Sequence, residues 1–345
     1  MMKHEFHIGA SAIVDMQHIL EQLQVTHVFL VRGKKSYIQC GAADTLQTLW
    51  NNLHCQVTEF DDFSTNPKEE DAHKGTACFN ATNADCIIAV GGGSAMDMAK
   101  LIRYQAMQTS SNHIPLLALP TTAGTGAEAT KFAVVYKNGV KHSVEDELIL
   151  PDYAIVYPPF TYKNSPYLTA CTGIDALAQA IEAFWSKNAT VESKEYAIKA
   201  IQLLWQQLPQ LVHNSTPQLR DEVAEGAYWA GRAINITKTT APHAYSYAFT
   251  SDYGYPHGHA VALTLPFFIA LNGNDELYAL LQTNRDNCMS DMVAYLQKID
   301  IDCNLKNIDI DAVLSKVNIQ RLANNPINIT NEIVQQLREY LISTK

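Results

Sequence analysis

Three side chains in the second half of this 345-residue chain have the chemistry of a divalent metal site. Asp175 offers a carboxylate, and His243 and His257 offer two imidazoles. Three such ligands leave a coordination position open for substrate. Gln179 follows Asp175 by four residues, so in a helix the two share one face, which Glu182 continues. We therefore predict a metal centre here, the competing interpretation being that the histidines make only structural hydrogen bonds.

A glycine-rich turn in the first half has the chemistry of a phosphate site. It follows the apolar stretch 86–90 and precedes a helical segment that begins with Ala95-Met96-Asp97. Glycines leave backbone N–H groups accessible at the positive end of a helix dipole, where anions bind. The spacing matches neither the dinucleotide fingerprint nor the P-loop, so a tight turn without a ligand is the alternative. The residues of the turn are Gly91, Gly92, Gly93 and Ser94.

A second loop, rich in threonine and glycine, follows the apolar stretch 115–119. Residues 124–129 spell G-x-G-x-x-A, but no acidic residue ends a strand about 20 positions later, as a dinucleotide fold requires. We interpret it as a loop whose hydroxyl and N–H groups approach a ligand. The hydroxyls concerned belong to Thr121, Thr122 and Thr125.

The elements that must position these residues fall into two halves. Apolar strands alternate with helical segments in the first half, which is typical of a parallel sheet covered by helices. Long helical patterns replace them beyond that half, for example at 193–211 and 219–234. We predict an α/β domain over residues 1–160 and an all-α domain over 161–345, with the active site in the cleft between them. The expected strands are 25–31, 56–60, 86–90, 115–119 and 153–156.

Composition excludes several classes of protein. The net charge of −10 and the absence of a long basic run argue against nucleic acid or an anionic membrane as partner. No apolar signal core opens the chain, and the stretch 260–271 is too short to span a bilayer, so a cytoplasmic protein is expected. Seven scattered cysteines favour reduced thiols over disulfides. We expect a small-molecule substrate and allow for a homodimer.

Several motifs in register make the chain resemble the iron-type (group III) alcohol dehydrogenase family. They are the stretches 91–100, 120–130, 173–183 and 256–258. The resemblance implies a Rossmann-like nicotinamide-binding domain and a helical metal-binding domain, the architecture shared with dehydroquinate synthase. It implies that the cofactor contacts these residues: Gly91, Gly92, Gly93, Ser94, Asp97, Thr121, Thr122 and Thr125.

The metal ligands of that family are Asp, His, His and His, and this chain departs at one of them. Asp175, His243 and His257 match, while Gln179 stands at the fourth position, where a neutral amide is the weaker ligand. We therefore expect Fe²⁺ to be less favoured and Zn²⁺ to be accepted. Tyr247 stands where many members carry a further histidine, and it is either a proton donor or an aromatic wall of the pocket.

The choice of nucleotide follows from the end of the strand at 25–31. Members that use NADH tend to place an aspartate there, whereas this chain has Gly33, preceded by Arg32. With no carboxylate to repel a 2′-phosphate, we predict that NADPH is preferred and NADH accepted, a solvated basic turn being the alternative. The other residues that would contact the 2′-phosphate are Lys34, Lys35 and Ser36.

Lys238 indicates the chemical class of the substrate. It lies five residues before His243, where members acting on plain alcohols generally have small or apolar residues. A cation in the pocket calls for an anionic partner. Together with Gln179 it makes the chain resemble the phosphonoacetaldehyde reductase (2-hydroxyethylphosphonate dehydrogenase) branch. The alternative is a structural ion pair with Asp252 or Glu182.

The resemblance implies a metal-assisted reduction of an aldehyde by NADPH, with water or Tyr247 as proton donor and Lys238 orienting a phosphonate. Three alternatives remain open at this point. One is a general short-chain aldehyde or diol dehydrogenase. The second is a metal-dependent cyclase or lyase of the dehydroquinate synthase type. The third is a binding protein that keeps the fold without the chemistry.

Overall fold

The chain divides into two compact units, one ending at Asn164 and the other beginning at Ser165. This computed structural model describes residues 4–109 and 112–344. The eight strands described in the first unit are β1 (Glu5–Ile8), β2 (His27–Arg32), β3 (Gln56–Phe60), β4 (Cys86–Gly91), β5 (Leu116–Pro120), β6 (Phe132–Lys137), β7 (Val140–Glu145) and β8 (Tyr153–Val156). Six of them form a parallel sheet in the order β1-β8-β5-β4-β2-β3.

Helices cover both faces of this sheet, as its apolar strands require. The core strands β2, β4 and β5 are buried on both faces, because a layer of helices covers each face of the sheet. Their carboxyl ends lie side by side, since Arg32 pairs with Val90 and Gly91 with Pro120. The helices are α1 (Ala12–Gln22), α2 (Ser36–Gln39), α3 (Ala42–Leu53), α4 (Glu69–Asn80) and α5 (Gly93–Met107).

The five expected strands are confirmed with small shifts of their ends, but three strands were not predicted. β1 is a short edge strand whose side chains are only partly buried, so it lacks a strong apolar signal. The other two, β6 and β7, form an antiparallel hairpin. Its turn residues Asn138 and Gly139 have φ angles of 51° and 78°, as a two-residue turn of type I′ requires. The Asn-Gly pair was the available signal.

The second unit is helical, as predicted. Its helices are α6 (Pro166–Trp185), α7 (Val191–His213), α8 (Pro217–Thr237), α9 (Ala241–Tyr253), α10 (His257–Ala262), α11 (Leu265–Asn272), α12 (Asp275–Leu280), α13 (Cys288–Lys298), α14 (Ile310–Ser315), α15 (Ile319–Leu322) and α16 (Asn331–Ser343). The patterns at 193–211 and 219–234 correspond to α7 and α8. In the described part of the chain, no helix is both long and apolar enough to cross a membrane.

Helix α6 is the central element of this unit. It packs against α7, α8 and α10, and every residue from Gly173 to Trp185 is buried. The sequence predicted one apolar face and one polar face, and the structure shows that the polar face is buried as well. Side chains held on such a helix have little freedom to move, which suits a site that needs fixed ligands.

A buried ion pair joins α5 to the strands of the first unit. The guanidinium of Arg103 lies 2.8 Å from Asp152, and the two side chains are 2% and 7% exposed. The same carboxylate accepts the backbone N–H of Leu116, at the start of β5, and lies 3.1 Å from His113. Asp152 therefore satisfies several buried donors at once.

Replacing Asp152 by asparagine should destabilise the protein by about 3–5 kcal/mol, because the Arg103 guanidinium stays buried without a counter-charge. Urea unfolding of the full chain followed by circular dichroism measures this loss. The matched control is Asp62→Asn, which removes an exposed ion pair with Lys74 and should cost less than about 1 kcal/mol. Equal losses in the two variants would contradict the role given to Asp152.

Candidate functional site

The three predicted metal ligands lie together in the second unit. One potential ligand atom from each of Asp175, His243 and His257 lies within 4.8 Å of the other two. Asp175 Oδ1 is 3.2 Å from His243 Nε2 and 3.8 Å from His257 Nε2. One carboxylate and two imidazoles at this spacing fit a divalent cation of the zinc or iron type.

Three helices bring these side chains together. Asp175 lies in the middle of α6, His243 in the first turn of α9, and His257 is the first residue of α10. The close approach of α10 to α6 depends on Gly258, because a Cβ there would lie 1.8 Å from the carbonyl oxygen of Cys171 and 2.9 Å from Asp175 Cβ. The glycine after His257 is therefore part of the site's geometry.

Glu182 orients His243 from the side opposite Asp175. Its carboxylate is buried and accepts the Nδ1–H of His243, the backbone N–H of Thr240 and, at 2.8 Å, the Thr240 hydroxyl. Burial by itself would lower the pKa of His243, but Glu182 and Asp175 outweigh it and raise the pKa to about 9. A hydrogen bond to Nδ1 fixes the tautomer in which Nε2 binds a metal. Sequence reasoning placed Glu182 on this face but missed this role.

Two further candidates lie beside the ligands. Gln179 is buried one turn after Asp175, and its side chain forms a hydrogen bond with that carboxylate. Burial would raise the pKa of Asp175, but the hydrogen bonds and the two histidines hold it below its usual range. Tyr247 lies one turn after His243 on α9 and is half-buried. Metal ligation by Gln179 and proton donation by Tyr247 stay predictions.

The predicted phosphate site lies at the carboxyl ends of β4 and β5 in the first unit. Gly93 begins α5, and a Cβ there would lie 3.2 Å from a methyl carbon of Thr125, so a side chain at this position would press on Thr125. A Cβ on Gly92 would make only an ordinary van der Waals contact with Thr122, at 3.6 Å. Within the described chain, the buried hydroxyl of Thr121 has no hydrogen-bond partner. This polar, glycine-lined cradle fits the phosphates of a nucleotide.

Three further polar residues, Ser94, Asp97 and Lys100, lie in the first two or three turns of α5. Ser94 donates its hydroxyl to the carbonyl oxygen of Thr65 at 2.6 Å. Asp97 lies one turn into α5, and loss of solvation raises its pKa to about 6 although Lys100 opposes the shift. Lys100 is buried and donates to the carbonyl oxygens of Thr130 and Phe132, both at 2.7 Å. Sequence reasoning did not single out Lys100.

The turn after β2 differs from expectation at one residue. The Arg32 guanidinium is paired with protein carboxylates and is not available to a 2′-phosphate, because it lies 2.7 Å from Glu59 and 2.8 Å from Asp61. Gly33 follows, and a Cβ there would lie 2.2 Å from the hydroxyl oxygen of Ser36. The two basic residues that remain exposed in this turn are Lys34 and Lys35.

Lys238 occupies the loop between α8 and α9 in an unusual backbone conformation. Its φ and ψ are 62° and 175°, a region that residues with a Cβ rarely adopt. The residues on either side of Lys238 are hydrogen-bonded, since the carbonyl oxygen of Thr237 accepts from the Ser186 hydroxyl and the Asn188 side-chain amide. On the other side, Thr240 is bonded to Glu182. Asp252, one of the two carboxylates considered as structural partners of Lys238, lies 2.6 Å from the ammonium of Lys316.

Nearly the whole chain matches one family of known proteins. Residues 4–158 match the family described as iron-containing alcohol dehydrogenase, and residues 169–340 match the domain described as Fe-containing alcohol dehydrogenase family, C-terminal. The NAD-dependent methanol dehydrogenase of Bacillus methanolicus is 31% identical over 280 residues, which is 77% of this chain and 73% of that protein. The 1,3-propanediol dehydrogenase of Citrobacter freundii is 33% identical over 259 residues, covering 70% and 67%.

A solved structure extends the likeness over the full length. The crystal structure of sulfoacetaldehyde reductase from Bifidobacterium kashiwanohense, in complex with NAD⁺, superposes with a TM-score of 0.90. The two sequences are 29% identical, and the match covers 100% of this chain and 98% of the other. The fold expected from the sequence is thereby confirmed.

Replacing Glu182 by glutamine should weaken Zn²⁺ binding about 10–100-fold, because the imidazole of His243 loses the carboxylate that holds its metal-binding tautomer. Calorimetric titration of the metal-free full chain with Zn²⁺ measures the affinity. Glu195→Gln, at an exposed position on α7, is the matched control. If both variants bind Zn²⁺ as tightly as the parent, Glu182 does not orient a metal ligand.

Proposed function

We propose a substrate for this chain, which belongs to the iron-containing alcohol dehydrogenase family and is therefore a metal-containing, nicotinamide-linked oxidoreductase acting on CH–OH groups. The proposed reaction is the reduction of phosphonoacetaldehyde to 2-hydroxyethylphosphonate. The observation that carries it is Lys238, a cation fixed in the loop that leads into the helix of His243. Family membership argues against the cyclase or lyase alternative.

The backbone of Lys238 supports a functional role. Holding the backbone of a residue with a Cβ at φ 62° and ψ 175° costs about 1–3 kcal/mol, and such strain is found mainly at functional sites. A glycine would relieve it, yet this chain has a lysine. We therefore assign to the Lys238 ammonium the role of binding an anionic group of the substrate.

The likeness to sulfoacetaldehyde reductase supports the same substrate class. Sulfoacetaldehyde carries a tetrahedral anion next to a short aldehyde, and phosphonoacetaldehyde differs by having a phosphonate in place of the sulfonate. A site that holds the aldehyde at the metal ligands and the anion at Lys238 suits both molecules. The second negative charge of the phosphonate strengthens its attraction to a cation.

Each residue of the candidate site has a separate task in this proposal. Asp175, His243 and His257 hold the metal, with Gln179 beside them, and the neutral amide lowers the preference for Fe²⁺ so that Zn²⁺ is also accepted. When bound, the metal supplies Lewis acidity toward the carbonyl oxygen and the reduced nicotinamide supplies the hydride. Tyr247 is the proposed donor of the proton that the oxygen gains.

We propose NADPH as the preferred nucleotide. Gly33 provides no carboxylate that would accept the ribose hydroxyl or repel a 2′-phosphate. Ser36 fills the space over Gly33, and the charges of Lys34 and Lys35 are exposed at the same turn. The Arg32 guanidinium, by contrast, is neutralised by Glu59 and Asp61 and is left out of this proposal.

A second candidate function is the oxidation of a neutral diol. The 33% identity with a 1,3-propanediol dehydrogenase favours it. In that case Lys238 lies outside the substrate contacts and its replacement leaves every KM unchanged. Replacement of Lys238 therefore separates the two functions.

Replacing Lys238 by methionine should raise the KM for phosphonoacetaldehyde about 10–100-fold, because a charge-assisted hydrogen bond to the phosphonate is lost. The KM for propanal, which has no anionic group, should change less than about twofold. Steady-state assays of NADPH oxidation on both aldehydes measure the ratio.

Lys238→Gly is the paired variant, because it removes the charge and also relieves the strained backbone. Its KM for phosphonoacetaldehyde should rise as much as that of Lys238→Met, while it should be the more stable of the two variants in urea unfolding. Equal use of phosphonoacetaldehyde by parent and both variants would reject the phosphonate substrate.

Replacing Lys34 and Lys35 together by alanine should raise the KM for NADPH at least about tenfold and leave the KM for NADH nearly unchanged, because only the former carries a 2′-phosphate. Fluorescence titration of each reduced nucleotide gives the same comparison as a dissociation constant. Lys74→Ala, at an exposed residue of α4, serves as the control for a general loss of positive charge. An unchanged preference for NADPH would make these lysines a solvated turn.

A further inference from the structure

A second cation reaches the loop that carries Lys238. Arg321 lies on α15, and its guanidinium Nη1 donates a hydrogen bond of 2.7 Å to the hydroxyl of Thr239, the residue after Lys238. Asn324, just beyond the same helix, donates to the carbonyl oxygen of Thr239 at 3.0 Å. Thr239 is therefore hydrogen-bonded to α15 and to the residue just beyond it, and it directly follows Lys238 with its strained backbone.

The position of Arg321 is fixed beside a metal ligand. Asn318 caps α15 by accepting the backbone N–H of Arg321 at 3.0 Å. The backbone N–H of Asn318 donates in turn to the carbonyl oxygen of Ala244, the residue after His243, at 3.1 Å. Helix α15 is therefore bonded to the first turns of α9, where the metal ligand lies.

The charge of Arg321 is not neutralised by the protein. The side chain is half-buried, and among the described residues no carboxylate lies within ion-pair distance of it. Arg32, Arg103 and Arg338, in contrast, each pair with an aspartate or glutamate at 3 Å or less. One hydrogen bond to a neutral hydroxyl uses only one of five N–H donors. The guanidinium therefore keeps both its charge and a free edge for an oxyanion.

We propose that Arg321 is a specificity-determining residue that binds the anionic group of the substrate together with Lys238. The inference rests on the proposed function and deepens it. A guanidinium presents two parallel N–H groups that match two oxygens of a tetrahedral anion, whereas an ammonium acts as a point charge. Two cations next to Thr239 favour a dianionic phosphonate over a monoanionic sulfonate, because the second negative charge of the phosphonate is attracted by both cations.

The alternative is that Arg321 only holds Thr239 and, through it, the loop. Two variants separate these roles. Arg321→Gln keeps a donor for the Thr239 hydroxyl but loses the charge, and Arg321→Lys keeps the charge but loses the forked geometry. Arg338→Gln, which removes an arginine paired with Asp311 on the surface, is the matched control.

The test uses the full chain loaded with Zn²⁺. Calorimetry measures the affinity for 2-hydroxyethylphosphonate in the presence of NADP⁺, and steady-state assays give KM and kcat for phosphonoacetaldehyde, sulfoacetaldehyde and propanal. We expect Arg321→Gln to weaken phosphonate binding about 10–100-fold and sulfonate binding less, with Arg321→Lys in between. The KM for propanal and the urea midpoint should stay close to those of Arg338→Gln.

Each outcome decides between the claims. Equal losses of kcat on propanal and on phosphonoacetaldehyde in Arg321→Gln would show a structural role and overturn the inference. Unchanged phosphonate affinity in Arg321→Gln, together with a loss in Lys238→Met, would overturn the inference and leave the proposed function standing. If neither variant weakens phosphonate binding, the proposed function fails first.

Discussion

The hydrogen bonds accepted by the buried carboxylate of Glu182 connect the candidate metal centre to the candidate substrate loop. One oxygen receives the Nδ1–H of His243, and the other receives both the backbone N–H and the hydroxyl of Thr240. In a buried, low-dielectric setting such bonds are strong and any unmet partner is costly. The orientation of the imidazole and the path of the chain next to Lys238 are therefore fixed by the same side chain.

Close packing that only glycine permits is the second constraint, and it recurs in both units. In the helical unit, Gly258 lets α10 approach the carbonyl oxygen of Cys171, which brings His257 to Asp175. In the sheet unit, Gly91 lets the end of β4 approach the first turn of α5, because a Cβ there would lie 2.6 Å from Ala95 Cβ. In both places a missing Cβ makes room for a ligand or for the residues that bind one.

Charge is used in two distinct ways in this protein. Arg103 is buried, paired with Asp152 and bonded to backbone, so its role is to join elements of the sheet unit. Lys238 and Arg321 lie around Thr239, and Arg321 is left without a carboxylate in the described chain. A guanidinium placed like that of Arg321 retains its charge for a ligand, which supports the anionic substrate that we propose.

The sequence by itself determined the alternation of strands and helices, the glycine turn and the three metal-ligand candidates, because periodicity and residue type act locally. It could not show the role of Glu182 or the position of Arg321, since both depend on contacts between residues far apart in the chain. It also assigned Arg32 to a ligand, although Glu59, on the neighbouring strand, neutralises it. Only tertiary structure decides which charges are paired, because pairing depends on distance in space and not on spacing along the chain.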